Sequence, residues 1–449
     1  MSGLAGKIGL GIRTFGESYL SIGRQFEPEK ITKIQNRKLR KLIRYCFENI
    51  KYYREEFERS GIRPEQIEST RDLQKIPILT KEQLRERFWD FLPRQLPPCR
   101  ISRTSGSTGE PVCILSDNNS RMYNSAAVIR YRQAWGIGLI GTPILTPLKT
   151  VNDLYNKKPH WTFLQGIHKT FYINPYIDSP ENIEYAAKLL KKIKNPALIG
   201  ITPAVRALAY RIKDGLFPEF RPSAVLTTGE SLNLQVRALL EYVFTTKVAD
   251  IYSCTEAGDV AWECRRGAGY HINADNVIVE IVNENGPVEA GQIGEVVITN
   301  LNRYAMPIIR FKNGDLARLA NADCSCGCKL PMIAEILGRS GEDITLPDGR
   351  IIPWNQLKSQ MNHPWVRQFQ LIQNQDGSLT IQYVSETGIN IEQIDALLLS
   401  RFKNLLGSSI KIQIVRTNKI QQAPSGKTKL VISDYKPPRA DSPTLSKIK

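Results

Sequence analysis

Apolar side chains recur at helical spacing over residues 37–59 (RKLRKLIRYCFENIKYYREEFER), where Leu39, Ile43, Cys46, Phe47, Ile50 and Tyr53 fall near one face. This predicts an amphipathic helix, and a second helical stretch is expected after Pro64. Thr80, followed three residues later by Gln83, has the spacing of a capping box for a helix opening at Lys81. From about residue 100 to about 300 the texture changes. Short β-rich runs at 197–201, 224–227 and 248–252 alternate with helical segments at 183–193 and 232–244. Parallel strands need long return connections, so this alternation predicts a mostly parallel sheet with crossover helices.

Residues 277–282 and 293–301 alternate as strands around Asn283-Glu-Asn-Gly-Pro and Ala290-Gly, which read as hairpin turns. Asp348-Gly349 marks another turn, between 344–346 and 350–352. Beyond it, 365–372, 380–384, 391–405 and 409–415 give a β-β-α-β order. The fold class is therefore α/β. A large N-terminal domain, 1–338, is expected to hold mixed sheets, helices and a β-rich subdomain, followed by a small α+β domain over 339–435. The Pro/Ser/Lys-rich tail, 436–449, is expected to fray.

At 449 residues the chain fits two or three domains, and 41% hydrophobic with 23% charged residues excludes a disordered or fibrous class. No apolar run approaches the ~20 residues of a membrane span. The greasiest stretch, 137–148, holds two Gly and two Pro. Met1 to Phe26 has no secretory pattern, so a cytoplasmic protein is expected. The formal charge of +17 favours anionic partners, without choosing among nucleotides, coenzyme A, nucleic acid or a membrane surface. Nine basic residues and one acidic one lie between Lys30 and Arg54. A solvated helix face accounts for them, and no zinc-finger, helix-turn-helix or aromatic–basic signature supports a specific nucleic-acid partner.

Of eight cysteines, Cys324, Cys326 and Cys328 lie within five residues. In a cytoplasmic chain such clustering points to metal rather than disulfides. With Cys264 and His271 they offer three or four thiolates and one imidazole, and Cys₃His is a closed zinc shell.

The most informative stretch for chemistry is Arg103-Thr-Ser-Gly-Ser-Thr-Gly-Glu-Pro-Val112. Its glycines let backbone approach phosphate oxygens, and the hydroxyls of Thr104, Ser105, Ser107 and Thr108 can donate to them. It is not a Walker loop, because no Lys follows Gly109. Downstream lie Thr228-Gly-Glu-Ser231, Asp250-Ile-Tyr-Ser-Cys-Thr-Glu256, Arg310-Phe-Lys-Asn-Gly-Asp315, Gly338-Arg339 and Pro424-Ser-Gly-Lys427. In this order the set resembles the adenylate-forming superfamily of acyl-CoA synthetases, luciferases and peptide-synthetase adenylation domains. Within it, Asn49-Ile-Lys-Tyr-Tyr53 and Asp72-Leu-Gln-Lys-Ile-Pro-Ile-Leu-Thr-Lys81 resemble the phenylacetate–coenzyme A ligases and their capsule-biosynthesis relatives.

The resemblance implies an AMP-forming ligase that joins a carboxylic acid to ATP, releases pyrophosphate, and passes the acyl group to coenzyme A. The loop Thr104, Ser105, Gly106, Ser107, Thr108 and Gly109 would cradle the β- and γ-phosphates. Thr255 would meet the α-phosphate, and Glu256 would hold Mg²⁺, which prefers carboxylate oxygen. Gly229, Glu230 and Tyr252 would border adenine, Asp315 and Arg339 would hold the ribose, and Lys427 would reach the carboxylate and α-phosphate from a mobile small domain. Related ligases carry Cys-X-Cys-Gly, which favours Cys264, His271, Cys324 and Cys326 over Cys328 as structural Zn²⁺ ligands. Relatives are commonly homodimers.

Taken singly, each motif has an ordinary explanation. Thr255-Glu256 can open a helix, Gly314-Asp315 can shape a turn, and a Lys in a Ser-Gly loop is usually solvated. The chain also departs from the pattern. Ser253 stands where the superfamily has glycine, beside the acyl pocket. Gly341, followed by Glu342 and Asp343, stands where an acidic hinge is usual. Other acceptors fit the same motifs: an amine, a hydroxyl, or the thiol of a carrier protein acting in trans. A non-catalytic nucleotide-binding relative is the rival outside enzymes. Ser107 lacks the Gly-X-Ser-X-Gly elbow of hydrolases, and Cys254 has no legible base partner. His160 and His168 read as core or surface histidines.

Overall fold

A computed structural model of the chain describes residues 13–435 except 14–15, 18–19, 21, 26, 104–111, 149–158, 177–178, 231, 233, 322–323, 340–343, 353, 362, 364, 386–389 and 421–429. It contains two compact units, one running to Leu337 and the other beginning at Gly338.

The first unit opens with α1 (Pro28–Asn49) and α2 (Lys51–Arg59), where the sequence predicts one helix over 37–59. Ile50 adopts an extended conformation and is fully buried, so the break re-aims the apolar face of α2 into the same core as Leu39 and Ile43. The stretch after Pro64 forms two 3₁₀ turns, Pro64–Gln66 and Thr70–Lys75, in place of the expected helix. Thr80 caps α3 (Lys81–Glu86) as expected: its hydroxyl accepts from the Gln83 amide at 3.3 Å, and Gln83 Oε1 accepts from the Thr80 amide at 2.9 Å. The basic face of α1 is mostly solvated, as expected, with Lys30, Lys33, Arg37, Arg40, Lys41 and Arg44 exposed, but part of it also makes structural contacts. Lys38 Nζ donates to the Asp275 carbonyl at 2.7 Å and lies 3.6 Å over the Tyr123 ring, while Arg40 donates to the Glu68 carbonyl.

Two strands absent from the sequence reading, β1 (Cys99–Arg103) and β2 (Cys113–Asp117), pair antiparallel with Arg103 opposite Cys113. Asp117 then caps α4 (Asn118–Ala134) by accepting from the Ser120 amide at 2.8 Å. There follow β3 (Ile144–Pro147), β4 (His160–Thr162), β5 (His168–Ile173), α5 (Pro180–Lys192), β6 (Ala197–Ile201), α6 (Thr202–Lys213), β7 (Ala224–Thr228), α7 (Leu234–Phe244) and β8 (Val248–Cys254). Strands β5, β3, β6, β7 and β8 run parallel, as the alternation predicts.

The β-rich part is not a separate sheet. Strands β9 (Gly258–Glu263), β10 (Tyr270–Ile272), β11 (Val277–Asn283), β12 (Gly286–Pro287), β13 (Ile293–Asn300), β14 (Phe311–Leu319) and β15 (Met332–Arg339) continue from β8 with antiparallel pairing wherever the register is defined. One 13-stranded mixed sheet results. Its helix-covered part is buried on both faces. Along β7, Ala224 and Leu226 enter the cluster around Tyr131 and Trp135 of the α4 segment, while Val225 enters the cluster with Leu189, Leu208 and Leu240 of α5, α6 and α7.

The second unit has a short hairpin, β16 (Ile344–Thr345) and β17 (Ile351–Ile352), then α8 (Trp354–Gln360), β18 (Val366–Gln373), β19 (Leu379–Ser385), α9 (Ile391–Leu406), β20 (Ile412–Arg416) and β21 (Val431–Ser433). The expected β-β-α-β order is present, and β21 adds a parallel edge beside β18. Phe402, Leu398 and Ile394 of α9 pack on Leu371, Ile381 and Tyr383. Gly341, Glu342 and Asp343 lie outside the described residues.

Candidate functional site

The C-terminal ends of β6, β7 and β8 lie side by side, the place where open parallel sheets carry ligands. Hydroxyls line this edge. Thr202 Oγ1 donates to the carbonyls of Thr228 and Glu230, at 3.3 and 3.0 Å. Thr228 Oγ1 donates to the Ile251 carbonyl at 2.8 Å and lies 2.8 Å from Ser253 Oγ. Having spent its proton on the carbonyl, Thr228 accepts from Ser253, whose oxygen lone pairs stay available. Gly229, with φ at 85°, turns the chain between Thr228 and Glu230.

Tyr252 sits at the same edge, buried, with its ring in the main core. Its hydroxyl donates to Asp315 Oδ2 at 2.6 Å, and Asn313 Nδ2 donates to both oxygens at 2.7 Å. Burial, then the neighbouring Asp315 carboxylate, pushes the Tyr252 phenol well above its ordinary range, so it remains a donor. Gly314, at φ 80°, permits the turn from which the Asp315 amide donates to Asn313 Oδ1 at 3.1 Å. The sequence motif had singled out Asp315. Asn313 had gone unremarked, and only its contact with Tyr252 discloses a part in the site.

After β8, Thr255-Glu256-Ala257 forms a tight turn into β9, not a helix start. Gly258 closes it at φ 83°, where a Cβ would lie 2.4 Å from Asn124 Oδ1. That oxygen accepts from the Asp259 amide at 2.7 Å, so α4 pins the turn. Glu256 is buried, with 9% exposure, and Thr255 is half-buried. Burial, followed by the Glu256 charge, pushes the Cys254 thiol well above its ordinary range. A thiol kept protonated is a poor nucleophile, which weighs against that reading of Cys254.

Residues 300–305 form a strap that brings this turn to the start of α4. Asn300 Nδ2 donates to the Ala257 carbonyl at 2.9 Å, and Arg303 Nη2 reaches the Thr255 carbonyl at 3.4 Å. The amides of Tyr304 and Ala305 both donate to Asp117 Oδ2, at 2.6 and 2.8 Å. No local sequence signal marks this strap. Its contacts join residues 48 and more than 180 positions apart.

Tyr252, Thr255 and Glu256, with Gly229 and Glu230 at the neighbouring strand end, thus share one edge of the sheet, and Asp315, midway along β14, joins them through its side-chain bond to Tyr252. Thr104, Ser105, Gly106, Ser107, Thr108, Gly109 and Lys427 lie outside the described residues. The backbone of Arg339 closes β15, and its side chain is likewise outside them.

A second cluster lies toward the other end of β9 and β10: Cys264 follows the last residue of β9, and His271 pairs with Trp262, which faces Ile251 of β8. The ligand atoms of Cys264, His271, Cys324 and Cys326 all fall within 4.8 Å of one another. Cys264 Sγ is 3.3 Å from Cys324 Sγ, and Cys326 Sγ is 3.3 Å from His271 Nε2. Backbone amides of Arg266, Cys326 and Cys328 point at the sulfurs of Cys264, Cys324 and Cys326, each at 3.4 Å. Burial lowers His271 to about 4, leaving it neutral near pH 7. Cys328 turns away toward Gln25 Oε1. A cavity of about 720 Å³, bordered by Lys247, Trp262 and Arg265, adjoins this cluster.

His168 is buried with Nδ1 3.0 Å from the Thr142 carbonyl, a core histidine; His160 stacks on Tyr172. No helix among the described residues is long and apolar enough to cross a membrane.

Comparison with known proteins adds kinship to this geometry. Residues 344–434 match the family model of the CapK C-terminal domain. Protein CapK of Staphylococcus aureus is 22% identical, over 97% of this chain and 96% of its own length. The phenylacetate–coenzyme A ligase of Escherichia coli is 24% identical, over 88% and 93%. That of Thermus thermophilus is 26% identical, over 72% and 74%. A 2-hydroxyisobutyryl-CoA ligase crystallised with an acyl-adenylate, in its postadenylation state, superposes with a TM-score of 0.74 at 20% identity, covering 92% of each chain. ATP-bound MatB of Rhodopseudomonas palustris superposes at 0.51 over 74% of this chain and 66% of its own. At these identities the structures establish a shared fold.

Proposed function

We propose that this chain, which is similar to the phenylacetate–coenzyme A ligases and CapK and shares the fold of a ligase crystallised with an acyl-adenylate, is an adenylate-forming enzyme that activates a carboxylic acid as its acyl-adenylate. A carboxylate oxygen attacks the α-phosphorus of ATP, the bond to the β-phosphate oxygen breaks, and pyrophosphate leaves. The sulfur of coenzyme A then attacks the acyl carbon, its proton is lost, and AMP departs with the bond pair. One observation carries the reading: the Tyr252–Asn313–Asp315 group and the Thr255–Glu256 turn meet at the C-terminal end of β8, in a fold that elsewhere holds acyl-adenylates.

In this reading Asp315 accepts from the ribose hydroxyls, held in place by Tyr252 and Asn313. Gly229, Glu230 and Tyr252 border the base, and Thr255 donates to the α-phosphate. Glu256 suits Mg²⁺, since a buried carboxylate offers hard oxygen ligands. That ion would supply charge neutralisation of the phosphates. The loop Thr104–Gly109 cradles the leaving pyrophosphate, Arg339 assists at the ribose, and Lys427 steadies the charge shared by carboxylate and α-phosphate. The unit from Gly338 acts as the mobile lid. Ser253, with acceptor lone pairs beside Thr228, shapes the acyl pocket.

The four-residue cluster fits structural zinc. Zn–S bonds of about 2.3 Å imply tetrahedral edges of about 3.8 Å, compatible with ligand atoms all within 4.8 Å. Three thiolates and one imidazole fill the shell, so the ion would clip β9 and β10 to the 324–328 loop and leave no position for substrate.

A second reading keeps the adenylation and changes the acceptor to an amine, a hydroxyl or a carrier-protein thiol. It is favoured by the family match of residues 344–434, which is to the CapK C-terminal domain. A pyrophosphate-release screen over aryl, fatty, hydroxy and amino acids, with and without coenzyme A, separates the readings. Release with consumption of coenzyme A supports the first, and release without it supports the second. Silence with every acid removes both.

A further inference from the structure

Arg303 is a buried cation with no carboxylate in ion-pair contact among the described residues. It is 3% exposed, and neither Nε nor Nη1 has a hydrogen-bond partner among the described residues. Its one hydrogen bond there is the long contact from Nη2 to the Thr255 carbonyl. Burial lowers its pKa, opposed by the nearby carboxylates of Asp117 and Glu256, with Cys254 also close by. These neighbours place it between the Thr255–Glu256 turn and the start of α4. Neither Asp117 nor Glu256 forms an ion pair with it, and Asp117 Oδ2 is already taken by the Tyr304 and Ala305 amides.

Burying a guanidinium without an anion is costly, and an apolar side chain of similar length would cost less. The strap holds it there nonetheless, through Asn300, Tyr304 and Ala305. We infer that Arg303 is an anion-binding residue that meets the phosphate oxygens of the bound nucleotide with Nε and Nη1. Nε–H and the Nη1 hydrogens point to different sides of the planar group, so they reach two separate oxygens of a polyphosphate, a fixed spread of donors that the single ammonium of lysine cannot supply. The inference deepens the nucleotide reading of this edge and rests on it. It adds a cation fixed to the large unit, distinct from Lys427, to the groups that neutralise the polyphosphate.

The test compares wild type, Arg303→Met and Arg303→Lys by thermal melting, with and without inorganic pyrophosphate or ATP, each with Mg²⁺. Without ligand, R303M is expected to melt at or above the wild-type temperature, since it removes an unpaired buried charge. Its affinity for pyrophosphate and ATP should fall about ten- to a hundredfold, the loss expected for charge-assisted hydrogen bonds, and R303K should keep part of the ligand-induced shift. A ligand-free R303M melting well below wild type would make Arg303 a structural strut and overturn the inference. So would an R303M that shifts with pyrophosphate as far as wild type while wild type responds normally. A wild type that responds to neither ligand removes the nucleotide reading itself, and this inference with it.

Discussion

The two ends of β8–β10 solve opposite problems. At the cysteine end, Cys264, His271, Cys324 and Cys326 satisfy one another, and backbone amides point at three of the sulfurs. At the hydroxyl-rich end, Glu256 is buried in its turn, Asp315 and Arg303 are bonded to groups far away in sequence, and Arg303 is left incompletely paired. The first arrangement is closed and suits a fixed ion that holds the fold. The second keeps polar capacity in reserve and suits a ligand that comes and goes. The proposed roles therefore divide stability from function along these strands, and substitutions should separate them.

The largest effect should come at the closed end. Cys324→Ser with Cys326→Ser should abolish the content of about one zinc per chain and cost about 4 kcal/mol or more of stability, as loss of a structural metal does. Metal analysis and melting check this. A wild type that purifies without zinc ends the claim. Because the two groups of residues have no member in common, nucleotide affinity per folded molecule should hardly change.

Next is Lys427→Ala, which should lower the adenylation rate about 10²–10³-fold, the usual loss of a group stabilising transition-state charge, with the melting temperature unmoved. Undiminished pyrophosphate release would remove Lys427 from the reaction. Asp315→Ala should raise the KM for ATP about ten- to a hundredfold through loss of charge-assisted bonds. An unchanged KM would mean that Asp315 serves only to hold Tyr252.

The smallest effect is expected from Tyr252→Phe. It deletes one donor to Asp315 while Asn313 keeps hold of the carboxylate, so affinity for ATP should fall about three- to tenfold. A loss as large as that of D315A, read by the same titration, would show that the phenol and not Asn313 positions the acid.

Much of this was legible in the chain. The alternation of β-rich and helical segments gave the parallel strands β6, β7 and β8 nearly to the residue, and Thr80 with Gln83 gave the cap of α3. Local patterns report local structure faithfully where one period dominates. They failed at Ile50, where a buried β-branched residue breaks the helix to re-aim its face. They failed also after Pro64, where 3₁₀ turns replace a helix. The single 13-stranded sheet was beyond them, since nothing local says that β9 will pair with β8.

For chemistry, the chain by itself determined which residue types were available: a hydroxyl- and glycine-rich loop, the Tyr252-to-Glu256 run, Asp315, and cysteines spaced for a metal. Spacing can do this because ligands close in sequence share a short backbone. Only tertiary structure decided that Cys328 turns away while His271 joins Cys326, that Asn313 holds both Tyr252 and Asp315, and that Arg303 is buried beside Thr255. Those outcomes depend on burial and on contacts dozens to hundreds of residues apart, whose free energy exists only once the sheet has formed.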